Sequence, residues 1–182
     1  MRTARLILLL LAVTACGGKK GSKGKEQAKG PPTTHWNDAA TADVKAQVER
    51  TMNAFAAMNV DSVKAGLAPD VTAFETDLDG KPVRLGSRDD VVKFANDVFA
   101  AINKMGAKVA LDVHSTDCHA TVALGYCSVA FDFQMTAKDG KTTTQPSWNT
   151  IVLDRTENGW EWKHWQSSAA PTAPAPTAAA RK

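Results

Sequence analysis

The sequence predicts an α+β fold in which early helices roof a curved antiparallel sheet. Two observations carry this. Apolar residues recur at helical spacing as far as Gly106 and at a period of two beyond it. The later apolar runs are also joined by turns too short to hold the crossovers that parallel strands require. Helices grouped ahead of a meander imply a layered α+β architecture.

The elements follow in order. Asp38 or Thr41 is placed to cap a first helix, where Val44, Val48, Met52 and Phe55 form one apolar stripe ending near Asn59. A shorter helix capped by Asp61 turns Val60, Val63 and Leu67 inward and is stopped by Pro69. The stretch "VTAFETDLDGKPVRL" reads as strand, Asp79-Gly80 turn and return strand. Ser87 to Asp90, "SRDD", is a capping-box pattern opening a helix with Val91, Phe94, Ala95, Val98 and Ile102 on one side. Past Gly106, "AKVALDVHS" alternates Val109, Leu111 and Val113 against Asp112 and His114. "CSVAFDFQM" alternates Val129, Phe131 and Phe133 against Asp132 and Gln134. A Lys138–Lys141 hairpin leads to "WNTIVLDR", and "ENG" turns the chain into "WEWKHWQSS".

Low-complexity ends flank this domain, which is expected over residues 36–168. Arg2 and Arg5 precede the apolar run Leu6 to Val13 and the stretch "VTAC", the layout of a secretory signal over residues 1–15. The run is shorter than the roughly 20 residues a membrane-spanning helix needs. "VTAC" resembles the bacterial lipobox, which implies acylation of Cys16 and attachment to a membrane of the cell envelope. The expected sites are the periplasmic face of the outer membrane or the cell surface. Residues 16–35, rich in lysine and glycine, read as a flexible tether whose lysines are suited to anionic headgroups. Residues 169–182, Ala-, Pro- and Thr-rich, read as a disordered tail.

The basic balance of +3 belongs to the ends: from Trp36 to Ser168 there are 13 Lys/Arg against 18 Asp/Glu, a net of −5. An acidic domain without an arginine stripe is poor material for nucleic-acid binding.

Taken together, "DVKAQVERTMNAFAAMNVDSVKAGLAPDVTAFE", the "DG" turn, "GSRDDVVKFANDVF" and the terminal "GWEWKHWQSS" resemble the SnoaL-like branch of the nuclear transport factor 2-like superfamily. The resemblance covers nearly all of residues 38–168. It implies the cone-shaped, cystatin-like α+β barrel also used by ketosteroid isomerase. Trp160, Trp162, His164, Gln166 and Ser168 match the spacing of the family's final strand, with Gln166 standing where a second histidine is frequent. Straight alternation places Trp160, Trp162, His164 and Gln166 on one face, as ligand-binding candidates lining the cone, and Glu161, Lys163 and Trp165 on the other.

For catalysis, relatives imply a carboxylate that removes a proton beside a carbonyl, aided by a tyrosine or an acid. The candidates are Asp112, Asp132, Tyr126 and His164. Asp112 and Asp132 fall opposite the apolar faces of their strands, which also suits solvated residues. Tyr126 adjoins Gly125, where a bulge would switch faces. No nucleophile elbow, phosphate loop or metalloprotease helix is present.

His114, Asp117, Cys118, His119 and Cys127 are all capable of binding zinc but match no finger spacing. Cys118 and Cys127 remain open among a disulfide, free thiols and a metal site, the first being preferred in an exported protein. On one straight strand the sulfurs would lie about 30 Å apart. A bridge therefore needs the chain to fold back between them, or to bulge at Gly125.

Two functions follow. The preferred one is a lipid-anchored module binding a small apolar ligand, or pairing as a homodimer through its outer sheet face. The alternative is an isomerase, cyclase or dehydratase using acid–base chemistry with neither cofactor nor metal.

Overall fold

A computed structural model describes residues 35–77 and 79–169. The expected signal peptide, Cys16, the tether up to residue 34 and the tail from residue 170 lie outside the described residues. The order is α1 (Asp38–Ala56), α2 (Val60–Ala65), β1 (Leu67–Thr76), β2 (Pro82–Leu85), α3 (Arg88–Met105), then β3 (Lys108–Ala120), β4 (Leu124–Thr136), β5 (Thr142–Thr156) and β6 (Gly159–Ala169).

Helix starts are set by side-chain caps; the α1 cap lies one residue before Asp38 and four before Thr41, and the α2 cap two before Asp61. Asn37 caps α1 by accepting from the Ala40 N–H at 2.8 Å, and Asn59 caps α2 by accepting from Ser62 at 3.0 Å. The Thr41 hydroxyl instead accepts from the Ala120 N–H at 3.0 Å and ties α1 to the end of β3. At α3 Ser87 caps the helix by accepting from the Asp90 N–H, and Asp90 reaches back past the cap to the Gly86 N–H, both at 3.1 Å. Gly106, at φ 64°, ends α3 in the left-handed conformation that glycine tolerates. On α3, Phe99 is buried with Val91, Ala95 and Ile102, while Val98 is half-buried.

The six strands form one sheet in the order β2-β1-β6-β5-β4-β3. Neighbours pair antiparallel except β1 and β6, which run parallel. β1 starts at Leu67, so Pro69 lies inside it rather than stopping α2. The proline falls within the register shift between Leu67 and Thr72, where the missing N–H breaks no regular ladder bond.

Two further irregularities decide which side chains face the helices. On β3 the register shifts between Val113 and Ser115, making His114 the extra residue. On β6 it shifts at Lys163, between the Leu153–Trp162 and Val152–His164 pairs. Each bulge exchanges the two faces of its strand.

α1 lies across β3 and β4, α3 against β1, and the core fills the space beneath them. Contact there is close: a Cβ on Gly125 would sit 2.6 Å from a Val44 methyl. Gly125 is not a bulge; the β3–β4 and β4–β5 registers run through it unbroken.

Candidate functional site

Between the concave sheet face, α1 and α3 lies an open cavity of about 700 Å³. Its walls are aromatic and aliphatic: Phe55 from α1, Phe94 and Phe99 from α3, Leu111 from β3, Phe131 and Phe133 from β4. Trp162 and Trp165 of β6 close the inner end, with ring centroids 5.5 Å apart in an edge-to-face arrangement. Phe55 packs on both, at 6.3 Å from each.

Polar groups cluster on one side of this lining. Alternation along β1 puts Glu75 on the same face as the fully buried Val71 and Ala73, so a carboxyl enters an apolar wall. The Trp165 indole N–H donates to Glu75 Oε1. Ser167 Oγ lies 2.7 Å from that same oxygen and 2.7 Å from Asn149 Oδ1. Burial pushes the Glu75 carboxyl above its ordinary value, against the opposing pull of the Trp165 and Ser167 hydrogen bonds. A serine hydroxyl carries one proton for two acceptors. Ser167 therefore donates to one of the two at a time. Trp162, 1% exposed, has its indole N–H buried without a hydrogen-bond partner among the described residues.

The bulge at Lys163 overturns the expected lining. Trp162, Trp165 and Ser167 line the cavity, whereas His164 and Gln166 occupy the opposite face. There His164 Nδ1 bonds the Thr72 hydroxyl at 2.8 Å, and its ring meets the exposed Phe74. Trp160 is buried in the core near the β5–β6 turn and is not among the cavity walls; the Arg155 guanidinium lies 5.4 Å from its ring centre.

None of the other catalytic candidates reaches the cavity. Asp112 and Asp132 pair directly across β3 and β4 on the outer face, with His114 Nε2 3.3 Å from Asp132 Oδ2. Tyr126, 41% exposed, shares that face because no bulge turns it inward at Gly125. Glu75, which the sequence reading passed over, is the carboxyl that does enter. Its signal was the period-two run Val71, Ala73, Glu75.

A hairpin at residues 121–123 brings Cys118 opposite Cys127, with Cα atoms 4.2 Å apart and the sulfurs bonded at 2.07 Å. Among the described residues no group of three or more His, Cys, Asp or Glu is arranged to hold a metal ion. A second cleft of about 400 Å³ lies between α1 and β3 beside the His114 bulge. It is lined by Lys45, Glu49 and Val113 among others, and lacks the aromatic enclosure.

The SnoaL-like domain family model matches residues 44–173. No curated protein matches. Among solved structures, the chain is similar to a putative dehydratase of the NTF2-like family from Streptomyces avermitilis. The TM-score is 0.64 at 13% identity, covering 74% of this chain and 99% of that one. It is also similar to a ketosteroid isomerase-like protein from Erwinia carotovora atroseptica, with TM-score 0.58, 15% identity and coverage of 75% and 100%. A third is the CaMKII hub of S. rosetta, with TM-score 0.57, 18% identity and coverage of 71% and 96%. At these identities the likeness establishes the fold.

Proposed function

The chain belongs to the SnoaL-like domain family, and from that premise we propose that it binds a small, largely apolar molecule inside its cone. The observation that carries this is the open cavity walled by Phe55, Phe99, Phe131, Phe133, Trp162 and Trp165. Volume and lining match those of small-molecule sites generally. The same reading places the protein on an envelope membrane, held through an acylated Cys16, with the cone displayed on a tether. Substituting Cys16→Ser should release it from the membrane fraction.

The binding test is titration with naphthylmethanol, a neutral bicyclic alcohol, followed by tryptophan fluorescence. Saturable quenching, lost when Leu111→Trp fills the cavity of a still-folded protein, supports the reading. Absence of binding to the unmodified protein refutes it.

A second reading is favoured by Glu75 alone. A carboxyl raised by burial is suited to removing a proton beside a carbonyl, which would make the domain a cofactor-free isomerase, cyclase or dehydratase. Among the described residues Glu75 and Asp77 are the only titratable ones lining the cavity, and Asp77 Oδ1 is engaged by the Asp79 and Lys81 N–H groups of its own turn. A base without an evident second acid is why binding comes first. Turnover of enolisable ketones that disappears in Glu75→Gln would reverse the order.

The outer sheet face is the surface we assign to homodimer formation. It exposes Phe74, Tyr126 and Trp148 at 45%, 41% and 55%. Sedimentation should show a dimer that Trp148→Glu dissociates; a monomer at all concentrations removes this assignment.

A further inference from the structure

We propose that the cone selects lipophilic amines: an ammonium group sits against Glu75 and the aromatic walls hold the remainder. This rests on the ligand-binding reading and deepens it.

The first ground is charge. Among the described residues the titratable ones lining the cavity are Glu75 and Asp77, both acids, and no described lysine, arginine or histidine joins them. Lys81, on the adjacent turn, lies 3.8 Å from Asp79. Arg84 of β2 is registered opposite Phe74 and belongs to the outer face. From the other elements packed around Glu75, α1 presents Met52 and Phe55, α3 presents Phe99 and Ile102, and β5 and β6 present Asn149, Trp165 and Ser167. A carboxylate or phosphate ligand would enter this site without a counter-charge, which low dielectric penalises heavily. An ammonium would meet one.

The second ground is the walls. Phe55, Phe99, Phe131, Trp162 and Trp165 surround the space, and the faces of such rings attract a cation.

An ionised Glu75 accepts from Trp165 and from Ser167, whose one proton is then withdrawn from Asn149. On the acid side of its titration, where Glu75 holds a proton, an arriving ammonium sends that proton to solvent and the carboxylate accepts from the ligand N–H. The charge balance is one cation taken up and one proton released. Affinity for an ammonium therefore rises with pH through the titration of Glu75 and levels off above it, whereas a neutral ligand shows no such slope.

The experiment compares naphthylmethylammonium, naphthylmethanol and naphthoate on the full chain by calorimetry, in two buffers of different ionisation enthalpy to count protons. On the plateau the ammonium should bind about tenfold tighter than the alcohol or better, and naphthoate weakest. On the acid side of the slope, ammonium binding should release a proton. Glu75→Gln should abolish the preference for the ammonium over the alcohol. Equal affinities for ammonium and alcohol, or tightest binding of naphthoate, would overturn amine selection while leaving the ligand-binding reading in place. Failure of all three probes would remove both. The three-ligand comparison on the unmodified protein decides the matter even should Glu75→Gln misfold.

Discussion

Trp165 donates its indole N–H to Glu75 across the parallel junction of β6 with β1. The bond joins the strand that opens the sheet's first hairpin to the strand that ends the fold, and it fixes a carboxyl on the wall of an apolar cavity. Its removal should be felt. Trp165→Phe keeps most of the ring area but leaves the carboxyl short of a donor, at a cost of about 1–3 kcal/mol in urea denaturation.

Glu75 should also leave a signature in the pH dependence of stability. Burial raises its folded-state value above the ordinary 4.5. Between those two values the native state holds a proton that the unfolded chain has released. The contribution of Glu75 is therefore largest below 4.5, declines as pH rises through the window, and is constant above it. Glu75→Gln removes this decline. The mutant should gain on the wild type as pH increases, a difference read from denaturation curves at a series of pH values. A mutant that loses ground with rising pH would contradict the assignment.

Deleting Lys163 tests the β6 bulge. Without the extra residue His164 follows Trp162 directly, and straight alternation leaves His164 and Gln166 outside and Trp165 and Ser167 inside. Trp165 keeps its packing on Phe55 and Trp162, and stability should change by less than about 1 kcal/mol. A loss of about 3–5 kcal/mol, the size of losing a buried tryptophan's packing, would contradict Lys163 as the extra residue.

Much of this architecture is legible in the chain. The Val44, Val48, Met52 stripe, the Ser87–Asp90 box and the change of period after Gly106 each map onto an element. Those signals are local, carried by side-chain spacing and capping chemistry. The lining of the cone was not legible, because it depends on two extra residues. "AKVALDVHS" and "WEWKHWQSS" alternate on paper as though straight, yet bulges at His114 and Lys163 exchange their faces midway. Neither position holds glycine or proline, so nothing in the residue types marks it. The parallel union of β1 with β6 is likewise a tertiary fact. Glu75 is a different matter: period two along Val71, Ala73 and Glu75 already placed a carboxyl on a core face.

The Cys118–Cys127 bond closes a short loop between β3 and β4. Replacing both cysteines with alanine should lower stability by about 2–3 kcal/mol, as expected for loop closure over so few residues. Intact-mass measurement should show a gain of two hydrogens on reduction of the unfolded protein; no gain would mean that the thiols are free.

Gly125 measures how closely α1 approaches β4. The Gly125→Ala methyl would lie 2.6 Å from Val44, which sits fully buried and has no room to retreat. Overpacking of about 1–3 kcal/mol should follow, relieved in part by Val44→Ala in the same chain. Additive losses from the two changes would argue against their contact.

The most direct measurement is a crystal structure of the protein with naphthylmethanol bound. The account predicts density for the rings between Phe55, Leu111 and Phe133. An empty or collapsed cone would contradict it.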